Sequence, residues 1–146
     1  MQTQNPELQS LNALVGEWTT EATHVAYPGT VVHGRAVFEW LAGEQFLIQR
    51  SETDHADFPD AIAIMGASTE ALAMHYFDSR GVHRVYAVSL NDGVWRIWRD
   101  APGFAQRFTG TFGDGGDAIS GTWQLSRDGS NWDDDLEITY RRSRQR

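Results

Sequence analysis

The chain has 146 residues, a length that fits one domain burying about 68–70% of its unfolded surface. It has no cysteine, which excludes a disulfide framework, a thiolate nucleophile and a cysteine zinc site. Its net charge of −8, with arginine supplying all 12 of the Lys and Arg residues, argues against nucleic acid and anionic membrane as partners.

Asn5-Pro6-Glu7 carries the marks of a helix start: an N-cap Asn, Pro at the first helical position and an acid in the first turn. Leu8, Leu11, Leu14 and Val15 form one apolar stripe, and Gly16 is the natural stop. A helix over about 6–15 is therefore expected, packed by its apolar stripe on the end of something larger. From Glu17 the period changes to two. Strands are expected at 17–26, 30–40, 45–53, 61–68, 72–78, 82–90, 94–100, 104–112, 118–126 and 132–142. Between them lie turn signals such as Pro28-Gly29, Asn91-Asp92-Gly93 and Asp128-Gly129.

This regular spacing predicts an all-β fold, a single domain over 1–146. Ten antiparallel strands would close into an up-and-down barrel over about 17–142, with the short helix at one end. Closure removes exposed strand edges and encloses a space. Alternation is clean where Phe104, Phe108 and Phe112 share a face, and again for Ile119, Trp123 and Leu125, and for Trp132, Leu136, Ile138 and Tyr140. It is mixed where Val94, Arg96 and Trp98 alternate with Trp95, Ile97 and Arg99. Mixed faces fit polar groups turned inward for a ligand, or an outer wall that is partly apolar at a dimer interface. No run approaches the ~20 apolar residues of a membrane span, and the first 20 residues lack Lys, Arg and a long apolar stretch. A cytoplasmic location is expected.

The segment Leu14-Val15-Gly16-Glu17-Trp18 resembles the Gly-x-Trp signature of lipocalin-like (calycin) barrels. In that superfamily the Trp sits at the closed end, and a cationic side chain from the last strand packs over it. The resemblance assigns these places to Gly16, Trp18 and either Arg141 or Arg142, with cation–π contact as the physical reason. Ten strands resemble the fatty-acid-binding and nitrobindin-like branch. Phe38-Glu39-Trp40-Leu41, Met74-His75-Tyr76-Phe77-Asp78 and Ala101-Pro102-Gly103-Phe104 resemble bacterial lipocalin-like domains of uncharacterised function. The nitrobindin-like branch implies haem held by a histidine near the C-terminus. Here His24, His33, His55, His75 and His83 all lie in the first two thirds of the chain, so no cofactor is expected and haem is the least supported reading.

Arg84-x-Tyr86 resembles the Arg-x-Tyr pair that seats a carboxylate in fatty-acid-binding proteins, although there it lies on the last strand and here on the sixth. Arg50, Arg84 and Arg96 each share a face with apolar neighbours: Phe46 and Ile48, Tyr86 and Val88, Val94 and Trp98. Turned inward, they would form a cationic cluster needing an anion, or Glu39 and Glu52 as internal partners. His24 shares parity with Trp18, and His75 and His83 flank a tight turn on neighbouring strands. The candidate ligand contacts are thus Arg84, Tyr86, Arg50, Arg96, Trp98, His24 and His75. Asp54, Asp57 and Asp60 stand three apart but lack the glycine and ligand order of a calcium loop, so no metal is expected. The segment reads as a solvated acidic loop, or, through Phe58-Pro59, as a lid over the barrel mouth. Asp133-Asp134-Asp135 reads as a solubilising face.

No catalytic motif is present. The expected function is binding of a small, largely apolar molecule, anionic in one version, inside the barrel. Two other readings stay open. One is an isomerase, cyclase or hydrolase acting in the lumen. The other is an interaction domain with a packed lumen and a homodimer patch of Trp95, Ile97 and Trp98.

Overall fold

The period-two stretches form ten strands: β1 (Gly16–His24), β2 (Val32–Trp40), β3 (Phe46–Thr53), β4 (Ala61–Ala67), β5 (Leu72–Asp78), β6 (His83–Asn91), β7 (Val94–Arg99), β8 (Ala105–Gly113), β9 (Ala118–Ser126) and β10 (Asp133–Arg142). The computed structural model describes residues 6–67 and 71–143. In it each strand pairs antiparallel with its neighbour in sequence, and β1 pairs with β10 to close the barrel. Strand positions follow the expected ones closely. The N-cap expected at Asn5, and Ser68 at the end of the fourth expected strand, lie outside the described residues.

The N-terminal helix is a 3-10 helix, Pro6–Leu14. With three residues per turn, Leu8, Leu11 and Leu14 fall on one line. All three are fully buried at one end of the barrel. There the Trp18 indole N–H donates to the Leu14 carbonyl at 2.8 Å. Arg142 lies 4.1 Å above the Trp18 ring and donates to the carbonyls of Val15, Ala13 and Gly116. Of the two arginines expected at this place, Arg142 occupies it, while Arg141 is exposed.

Above this plug the core is aromatic. Phe38, Trp95 and Phe108 pack edge to face. Phe108 lies across a pair of facing glycines, Gly110 and Gly121. A Cβ on Gly121 would stand 2.4 Å from its ring, and one on Gly110 2.9 Å. Their missing side chains are what give the ring its place. On β10 the register slips between Asp134 and Leu136, so Asp135 is a bulged residue. The bulge breaks the alternation read across Trp132 and Leu136. Leu136, Ile138 and Tyr140 point inward, whereas Trp132 lies outside beneath Arg107, 4.0 Å from its guanidinium.

Candidate functional site

At the end opposite the 3-10 helix, the loops between β1 and β2, β3 and β4, β5 and β6, β7 and β8, and β9 and β10 frame a mouth. A pocket of about 360 Å³ lies there, with His24, Tyr27, Arg80, Arg84, Tyr86 and Phe104 in its wall. Below it is a chamber of about 220 Å³ walled by Trp95, Ile97, Phe108, Trp123, Ile138 and Tyr140. Phe58, Pro59, Tyr76, Trp123 and Leu136 border both spaces. The segment carrying Phe58 thus stands where chamber meets mouth. The Phe58 ring packs against His24, Tyr27 and His55 at centroid distances of 5.9, 5.4 and 5.2 Å. Its acids are engaged: Asp54 accepts from the His33 N–H, Asp60 from the Thr53 N–H and Asp57 from the Tyr27 hydroxyl. Among the described residues no group of three or more His, Asp or Glu is placed to hold a metal.

Arg84 and Tyr86 both face inward from β6. The Tyr86 hydroxyl donates to Gln106 at 3.1 Å. The Arg84 guanidinium lies 5.3 Å from the centre of the Phe104 ring, and no carboxylate pairs with it among the described residues. Its neighbour in the mouth, Arg80, is neutralised by Asp78, which also accepts from the Tyr76 hydroxyl at 2.8 Å. The Arg80 bonds, seconded by Tyr76, hold the Asp78 carboxyl well below the usual range. Burial, reinforced by the bond to Asp78, pushes the Tyr76 phenol well above its usual range. His24 reaches Asp135 with Nε2 at 3.0 Å and accepts the Ala26 N–H on Nδ1 at 3.0 Å, so both ring nitrogens are engaged. The β10 bulge is what turns Asp135 toward it.

The other expected contacts stand elsewhere. Arg50, Arg96, Trp98 and His75 point out from the barrel wall, away from the lumen. Arg50 pairs with Glu39 across β2 and β3. His75 stacks on His83, which stacks on Phe77. The reason is an apolar outer wall: Phe46, Ile62, Phe77, Val85 and Trp98 are all exposed on it. Alternation separated the two faces of these strands but did not say which was inside. The expected external patch is corrected in the same way. Trp95 and Ile97 are buried in the lumen, and only Trp98 is outside.

A larger groove of about 530 Å³ lies on that outer wall, beside Arg35, Arg50, Ile62 and Phe77. Its cations are already paired, Arg35 with Glu17 and Glu52 and Arg50 with Glu39. An apolar space with an unpaired cation at its entrance is the better binding geometry, and the mouth and chamber have it in Arg84.

Sequence reasoning missed the residues that wall the chamber on β7, because Trp95 and Ile97 read as external. It also missed Phe104 as the ring beneath Arg84 and the Tyr76–Asp78–Arg80 cluster. The parity of Phe104, Phe108 and Trp123 was a usable signal for the wall. Nothing local announced the cluster.

The fold and mouth define a closed ten-stranded antiparallel barrel with an accessible interior. No protein-family profile and no curated protein matches the chain. Among solved structures it is similar to the crystal structure of Rv2717c from M. tuberculosis, with a TM-score of 0.69 and 18% identity over 97% of this chain and 100% of that one. At that identity the likeness establishes the fold. Haem held as in the nitrobindin-like branch does not fit, because no histidine lies on β7–β10. Among the described residues no helix is long and apolar enough to cross a membrane.

Proposed function

We propose that this protein is a calycin-like carrier that takes a small, largely apolar acid into its barrel. The apolar part enters the chamber and the acidic group stays at the mouth on Arg84. The Gly16-x-Trp18 segment and the Arg142 guanidinium over Trp18 support the calycin-like reading.

One observation carries the functional reading. Arg84 is half-buried beside an apolar chamber, stacked on Phe104 and without a counter-charge among the described residues, while Arg80 next to it has one. A partly desolvated guanidinium gains most from a carboxylate, through paired, charge-assisted hydrogen bonds. Tyr86 is committed to Gln106, so it positions rather than clamps. The chamber supplies affinity through apolar burial, at about 25 cal/mol per Å² removed from water.

Titration of tryptophan fluorescence with decanoate and with decanol tests this. Decanoate is expected to bind in the micromolar range, and Arg84→Gln to weaken it about tenfold, as loss of a charged hydrogen bond does. Decanol binding should be unchanged by the substitution. Failure of both compounds to bind below millimolar, or an unchanged decanoate affinity in Arg84→Gln, contradicts the proposal.

A further inference from the structure

The barrel has two unlike outer walls. On β9, β10 and β1 the wall is polar, with Thr19, Glu21, Ser120, Thr122, Glu137 and Thr139 turned outward. From β3 to β7 it is apolar, and Phe46, Ile62, Phe77, Val85 and Trp98 are 37–48% exposed. A sheet face turned to water is ordinarily polar, so a contiguous apolar face marks a contact surface. Contiguity follows from the register. Ile62 pairs with Phe77 and Phe77 with His83, Ile64 pairs with His75 and His75 with Val85, and Trp98 lies opposite Ala87. Phe77, His83 and His75 are stacked ring on ring, at 4.6 and 5.8 Å. No outward position on β4, β5 or β6 is Asp or Glu, although the chain has 20 acids against 12 arginines. At the rim, Arg35 and Arg50 are balanced by Glu17, Glu52 and Glu39.

We infer that this face binds a second copy of the chain. Charge, shape and size commit it to that occupant. Chains of net charge −8 repel one another, and on this wall two copies meet without opposing carboxylates at the centre. The outer groove of about 530 Å³ lies toward the mouth end of the face, beside Ile62 and Phe77. Phe46 stands half-exposed at the closed end, four residues before Arg50 on β3. A two-fold axis lying across the strands exchanges the two ends. It sets Phe46 of each copy over the groove of the other, the self-complementarity that an isologous dimer requires. Five strands about 4.8 Å apart and three outward rows about 6.7 Å apart span roughly 20 by 20 Å with their side chains. That is about half of the ~800 Å² each partner buries in a standard interface, and the charge pairs of Arg35 and Arg50 extend it as a polar rim. The mouth lies at the barrel end, so the dimer leaves it open.

Sedimentation velocity of the full chain from about 2 to about 200 μM tests this. By the top of that range the wild type is expected at twice the mass of one chain. Val85→Glu and Ile62→Glu each put a carboxylate on the contact and should raise the dissociation constant at least about tenfold. Phe46→Ala, which empties the groove of the other copy, should raise it about tenfold as well. Thr139→Glu, on the polar wall, should leave the dimer intact. A readout free of any variant is carbethoxylation followed by mass spectrometry: His75 and His83 should react several-fold more slowly at the high concentration, and His33 at an unchanged rate. A wild type that stays monomeric at about 200 μM overturns the inference, and its flotation with phosphatidylcholine vesicles would give the face to a lipid surface instead. A dimer that both glutamate variants leave intact, with His75 and His83 unprotected, overturns it too, because the contact then lies on another wall.

Discussion

The hydroxyl of Tyr140 is buried among Trp18 and Trp95, and this fixes how the protein responds to alkali. Burial pushes its phenol up to about 12, against a small opposing effect of the Gln49 hydrogen bond. Tyr76 is raised as well, by burial and by Asp78. A group that holds its proton more tightly folded than unfolded stabilises the fold fully below its unfolded value, near 10 for tyrosine, and loses that contribution as pH rises through the folded value. Stability should therefore fall between about pH 10 and 12, by about 2–3 kcal/mol from Tyr140, at about 1.4 kcal/mol per unit. An ultraviolet phenolate titration checks this: Tyr76 and Tyr140 should ionise above the ordinary tyrosine value of about 10. On the acid side Asp78 is depressed, so its contribution is present above its unfolded value near 4 and fades as pH falls below it. Asp78→Asn should flatten the acid limb of the stability curve measured by urea unfolding. At this scale the sequence was informative where a residue's parity sat on an unambiguous strand. Trp18, Arg84, Tyr86 and His24 face inward. Arg50, Arg96, Trp98 and His75 do not, because Phe46, Ile62 and Phe77 give the outer wall the apolar character that the reading assigned to the inside.

Two elements cover the barrel at its two ends. The 3-10 helix seals the bottom with Leu8, Leu11 and Leu14, and a cavity at its centre has nowhere to collapse. Leu11→Ala should cost about 2–5 kcal/mol in urea unfolding, and a change under 1 kcal/mol would contradict the packing described. The loop between β3 and β4 closes the top through Phe58. Phe58→Ala should speed decanoate dissociation several-fold in stopped-flow measurements, with a smaller change in affinity, because the ring gates a passage that other side chains form. An unaltered dissociation rate would show that entry runs elsewhere. Both elements were legible in part. The spacing of three in the leucines was visible, and it is the repeat of a 3-10 helix as much as one edge of an α-helical stripe. Phe58-Pro59 offered a lid, but its partners His24 and Tyr27 come from another loop, and only the closed barrel brings them together. The β10 bulge left no mark in the sequence, and it alone accounts for Trp132 lying outside and Asp135 reaching His24.

For the whole molecule, ten short strands and their turns were enough to predict closure, since hairpin signals fix neighbours and alternation fixes two faces. The interior could not be predicted in the same way. Its chamber depends on how Phe108, Trp95 and Trp123 fill a cylinder whose width is set by Gly110 and Gly121. Gly121→Ala would press a Cβ into the Phe108 ring, and a cost of about 1–3 kcal/mol is expected, with altered ligand affinity because the same ring walls the chamber. A bound acid should raise stability by about 2.7 kcal/mol at a hundredfold excess over its dissociation constant, which thermal unfolding would register as a rise of several degrees. The most direct measurement is a crystal structure of the protein with decanoate. The carboxylate is predicted beside the Arg84 guanidinium, with the chain passing Phe58 and Tyr76 into the space among Trp95, Phe108 and Trp123. Decanoate seated instead in the outer groove against Ile62 and Phe77, with the chamber closed by protein side chains, would contradict the account.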